Sequence, residues 1–109
     1  SPNVSAIMGI GEGVAGFLAQ RKYGCTLLAR PNHDFPDMVM ESGNRIFMVE
    51  AKGSMKDARG LLNPELWRMA SFTSACAQMD NRPVTGLLIG TTVVKRDVYN
   101  CHIIEVELA

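Results

Sequence analysis

Four consecutive apolar residues, Ile46-Phe47-Met48-Val49, followed at once by Glu50-Ala51-Lys52, constrain this chain more than any other stretch. An unbroken apolar run reads as a strand buried on both faces. Side chains two apart on a strand share a face, so the Glu50 carboxylate and the Lys52 ammonium are expected side by side where the run ends. Charges at the mouth of an apolar strand are costly unless they are paired or engaged with something. Upstream, Asp37 follows Pro36 and opens a second strand, Met38-Val39-Met40, and Ser42-Gly43-Asn44 between the two runs is turn chemistry. A hairpin built this way brings Asp37 near Glu50. Two carboxylates and a lysine then converge at one sheet edge.

Pro36-Asp37 followed by Glu50-Ala51-Lys52 resembles the signature of the PD-(D/E)XK nuclease superfamily, the restriction-endonuclease-like fold. The likeness extends to the order of the preceding parts. Gly11-Glu12 opens a helix, Lys22-Tyr23-Gly24 closes it, and a strand from Cys25 to Ala29 leads to the motif, as in small Holliday-junction-resolvase-like members. It covers residues 9–54 well and the remainder only as a pattern of elements. The resemblance implies a Mg²⁺-dependent enzyme, an endonuclease, that hydrolyses DNA phosphodiester bonds. Asp37, Glu50 and the Ala51 backbone carbonyl would hold the metal, Lys52 would assist the nucleophile, and Glu12 would complete the site. Carboxylates and a carbonyl are hard oxygen donors of the kind Mg²⁺ accepts while keeping several waters. Mn²⁺ is expected to substitute, and Ca²⁺ to bind without turnover. The plain alternative is a surface Glu–Lys pair beside a turn aspartate, with Glu12 a solvated acid favoured by the helix dipole.

Along the chain, residues 1–8 read as an extended lead-in, and a helix is expected from Ile10 to Lys22. Ile10, Val14, Phe17, Leu18 and Arg21 form one stripe of that helix. Gly9, Gly13, Gly16, Ala15 and Ala19 form a small-residue face suited to close approach by the sheet or another chain. A loop is expected from Gly53 to Leu62. Asn63-Pro64 then reads as a cap and first turn of a helix reaching about Asp80, with Leu66, Met69, Thr73 and Cys76 on one side. Val84 to Thr92 is a strand, Lys95-Arg96-Asp97 a turn, and Tyr99 to Leu108 a final strand with Val106 and Leu108 inward. The order α-β-β-β-α-β-β describes a single α/β domain, a mixed sheet flanked by helices, matching the restriction-endonuclease-like core. The Ser1-Pro2-Asn3 start without an initiator Met reads as an excised domain.

Eleven basic and eleven acidic residues cancel, unlike the clearly basic balance of many DNA binders. Setting aside Asp37, Glu50 and Glu12, which a cation would neutralise, leaves a mildly basic remainder. Homodimerisation would help a small neutral domain engage DNA. No apolar run approaches the roughly 18 residues that span a bilayer, so a cytoplasmic, membrane-independent protein is expected. Cys25, Cys76 and Cys101 read as reduced, buried thiols.

Weaker candidates surround the motif. His33, beside Asp34, is a candidate phosphate contact or auxiliary base. Ser54, Lys56 and Arg59 follow the charged strand, where they are candidate contacts to the DNA backbone. Trp67 reads as buried in preference to base-stacking. The methionines read as adaptable core filler. Gly11-Glu-Gly-Val-Ala-Gly16 matches GxGxxG, with Val4–Met8 as a strand before it, which would suit a nucleotide-binding fragment. Arg30-Pro31 stands where that fingerprint expects an acid. A further alternative is a non-catalytic binding or assembly module on the same fold.

Overall fold

A computed structural model describes residues 3–32 and 34–108. The elements are α1 (Val4–Tyr23), β1 (Thr26–Ala29), β2 (Met38–Ser42), β3 (Arg45–Ser54), α2 (Leu66–Met79), β4 (Val84–Lys95) and β5 (Val98–Val106). The expected order α-β-β-β-α-β-β is therefore observed. The strands form one mixed sheet in the order β1-β2-β3-β4-β5. The β3–β4 pairing is parallel and the others are antiparallel. Among the described residues, no helix is long and apolar enough to cross a membrane.

β3 lies at the centre and is covered on both faces, as its apolar run requires. Phe47 and Val49 face one core with Ala15 and Ala19 of α1, Met38 and Met40 of β2, and Leu87 and Ile89 of β4. Ile46 and Met48 face the other core with Phe35, Leu62, Leu88 and Met69 of α2. The alternation of strand side chains thus divides one apolar run between two cores. Met38, Met40, Met48 and Met69 fill these cores, whereas Met8, Met55 and Met79 are exposed. On α2, Met69 and Thr73 are buried, with Leu66 and Cys76 packed beside the core, as the helical spacing predicts.

The first helix differs from expectation at its start. Asn3 caps it, its Oδ1 accepting from the Ala6 amide at 2.8 Å, so Val4–Met8 is helical and not a lead-in or a strand. Gly11–Gly16 therefore lies mid-helix and lacks the strand–turn–helix context a dinucleotide fingerprint requires. Gly24 ends the helix at φ 67°, as its sequence position predicts. The buried face is Ile7, Gly11, Ala15 and Ala19, one residue per turn, while Phe17 stands outside. Gly9 and Gly13 meet nothing and do not belong to the contact face. The close approach is to the sheet, because the backbone of Gly53 crosses directly over Gly11.

Other boundaries move for local reasons. β3 continues through Ser54, and short 3-10 turns at Ala58–Leu61 and Asn63–Glu65 replace the expected loop and first helical turn. Asn63 starts the second of these turns, so it does not cap α2, which begins at Leu66. β1 is a short edge strand with all its residues exposed. At the far end, β5 stops at Val106, and Leu108 is exposed instead of inward. Trp67 is 85% exposed, contrary to its expected burial, because it lies on the solvent side of the first turn of α2. Cys25 is buried as expected but Cys101, on edge strand β5, is exposed; all three cysteines are free thiols.

A Cβ placed on Gly53 would sit 2.5 Å from the Ile7 carbonyl oxygen, a backbone atom with no rotamer to yield. Gly53→Ala is expected to destabilise the fold by about 1–3 kcal/mol, the usual cost of overpacking, read as a lower urea midpoint with an unchanged slope.

Candidate functional site

The β2–β3 register pairs Met38 with Val49, which sets Asp37 opposite Glu50 just beyond the ladder. The two acids lock into the backbone reciprocally. The Asp37 amide donates to Glu50 Oε1 at 3.0 Å, and the Ala51 amide donates to Asp37 Oδ2 at 2.8 Å. Each carboxylate thus commits one oxygen to the main chain. The remaining Glu50 oxygen, Oε2, lies 3.6 Å from Lys52 Nζ, which confirms the shared face. The two-residue turn that sets this register has Gly43 at φ 58°, as its sequence predicts.

Glu50 is only 7% exposed, and two acids share this corner with one close ammonium. Burial raises the Glu50 carboxyl most, and Asp37 adds to the rise, bringing it to about 7 despite the opposing pull of Lys52. Such a site favours a proton or a cation between its acids. That donor chemistry fits Mg²⁺, which binds through one or two carboxylates and completes its shell with water and phosphate oxygens. Among the described residues, no group of three or more His, Cys, Asp and Glu residues stands ready to cage a metal. Any bound cation would therefore depend on the Asp37–Glu50 pair, the Ala51 carbonyl and solvent.

The contact of Gly11 with Gly53 carries Glu12 to the same corner. Glu12 lines two clefts, each of which also includes Asp37 and Glu50. Its carboxylate pairs with Arg30 Nη1 at 3.1 Å, so it borders the acid pair and does not bond to it. Lys52 has a second partner that sequence reading missed, Glu65 Oε1 at 3.3 Å. Glu65 Oε2 lies 3.8 Å from Arg68, so this half-buried acid bridges two cations. Arg30 and Arg68 were missed as well. The Asn63-Pro64 helix start marked this segment, but no local pattern shows that Glu65 and Arg68 face β3.

The weaker candidates do not gather here. Ser54 and Lys56 line a neighbouring groove with Val4 and Ile7, where the Ser54 hydroxyl accepts from the Lys56 amide at 3.0 Å. Arg59 is occupied by Asp57 and belongs to a separate pocket beside His102. His33 lies outside the described residues. Asp34 lines the larger cleft with Asp37 and Glu50.

The folded site prefers a neutral Glu50. Its contribution to stability is full below pH 4.5 and is lost as the pH rises through about 7. In the metal-free protein, Glu50→Gln is expected to remove that loss, melting about 5 °C above the parent once the pH exceeds 7 and close to it at acidic pH. Differential scanning calorimetry in chelator across this range checks the sign.

No family model, curated protein or solved structure matches the chain, so the reading of the site rests on its own residues and geometry.

Proposed function

We propose that this chain is a Mg²⁺-dependent DNA phosphodiesterase, an endonuclease, with a restriction-endonuclease-like arrangement of the PD-(D/E)XK type. The observation that supports this most is the convergence of Asp37, Glu50 and Lys52 at the β2–β3 corner, in the order and spacing of that motif. When bound, the cation supplies charge neutralisation at the scissile phosphate and a lower pKa for water. Asp37 and Glu50 hold it with the Ala51 carbonyl. Lys52, fixed between Glu50 and Glu65, offers its ammonium to the nucleophile or to the charge that develops on phosphate oxygens. Glu12, which lines the same cleft, would accept from water there.

A non-catalytic binding or assembly module on the same fold draws support from the neutral overall charge and from the absence of a three-residue metal cage among the described residues. A homodimer in either reading could not use Ala15 and Ala19 of the α1 small-residue face, which are buried against the sheet.

Calorimetric titration with Mg²⁺ and Mn²⁺ separates the two readings. Binding is expected for the parent and is expected to vanish in Glu50→Gln. Lys52→Ala is expected to bind cation like the parent yet lose turnover by at least about a hundredfold, the scale of one removed electrostatic stabiliser. Cleavage by Asp37→Ala and Lys52→Ala at the parent's rate would reject the nuclease reading.

A further inference from the structure

Two clefts meet at the acid pair and share Glu12, Asp37 and Glu50. Lys52 borders one of them. The other, about 430 Å³, is bordered by Arg30 of the β1–β2 connection and Arg68 of α2. From this arrangement we infer that Arg30 and Arg68 form a clamp for a phosphodiester adjoining the scissile one, so that a DNA strand runs across the acid pair from the Lys52 side to the arginine side. The inference rests on the nuclease reading and adds the path of the substrate.

Both guanidinium groups have partners at the cleft before any ligand arrives. Arg30 pairs with Glu12 at 3.1 Å. Arg68 lies over the Phe35 ring at 4.4 Å, and Phe35 is buried with its ring edge-to-face against Phe72. This cation–π contact holds the guanidinium beside the ring, and its half-exposed side chain leaves N–H donors available. A planar fork with five N–H donors matches phosphate oxygens in a way that an ammonium does not. Glu65 ties Arg68 to Lys52, its two oxygens serving one cation each, and so fixes the spacing between the two sides of the path.

The charge around the larger cleft sets a condition on binding. Glu12, Asp34, Asp37 and Glu50 outnumber Arg30 and Arg68 along its lining. An anionic strand is repelled from that surface until a divalent cation offsets the excess acid. The two arginines then supply its attraction for phosphate. DNA affinity is therefore expected to require a divalent cation and to depend on both arginines.

The test is fluorescence anisotropy of labelled single-stranded and duplex DNA in Ca²⁺ across a salt series. Parent, Arg30→Ala, Arg68→Ala, Arg68→Lys and, as a control on the distant β4–β5 hairpin, Lys95→Ala are compared. Each alanine variant at the clamp is expected to bind roughly tenfold more weakly and to reduce the salt slope by about one. Arg68→Lys is expected to recover little, whereas Lys95→Ala behaves like the parent. Calorimetric Mg²⁺ binding by Arg30→Ala is expected to persist and not to weaken, because the change removes a cation beside Glu12 and leaves the acids in place. If the parent binds DNA and both alanine variants match its affinity and slope, the clamp is overturned while the nuclease reading stands. A parent that binds Mg²⁺ but neither form of DNA overturns the nuclease reading and the clamp together.

Discussion

A strand buried on both faces can end in charge only where its cover ends, and the whole site follows from how β3 leaves its cover. Ile46 through Val49 are enclosed between α1 and α2, and the enclosure still reaches Glu50. A carboxylate in that position loses much of its hydration, and a neighbouring carboxylate makes the loss worse. Lys52 and the Asp37 amide offset part of this. The remainder is the property a cation or a proton would relieve, and it sets this corner apart from an ordinary strand end.

The second determinant is a contact between backbones. Gly11 and Gly53 meet so closely that neither has room for a Cβ without displacement of main-chain atoms. This lets α1 run flat against the end of β3 and fixes Glu12 at the rim of the clefts. A helix standing off by the width of a larger side chain would carry Glu12 away from the acids and from its partner Arg30. Helix packing on one side of the sheet thus sets the distance between the acid pair and its first ring of charges.

On the other side of the sheet, the first turn of α2 and the 3-10 turn before it contribute. Glu65 reaches back to Lys52, and Arg68 turns toward Phe35 and the larger cleft. The zero net charge conceals this segregation, because acids concentrate where the strands end and cations stand around them. Overall charge is a poor guide for such a molecule, since the field at the site depends on local placement and on what binds there.

The sequence by itself determined the element order, the central buried strand, the tight hairpin and the meeting of Asp37, Glu50 and Lys52. These depend on short-range rules: an apolar run, a two-residue repeat on strands and a glycine turn specify their own geometry. Tertiary structure alone decided which face of α1 is buried. The sequence offers a stripe of larger residues and a small-residue face, and the Gly11–Gly53 crossing buries Gly11, Ala15 and Ala19 against the sheet. It also decided that Trp67 is exposed, that Ser54, Lys56 and Arg59 lie away from the acids, and that Glu65, Arg30 and Arg68 lie near them. Those outcomes depend on the placement of separate elements across the sheet, and no local pattern in the chain encodes that distance.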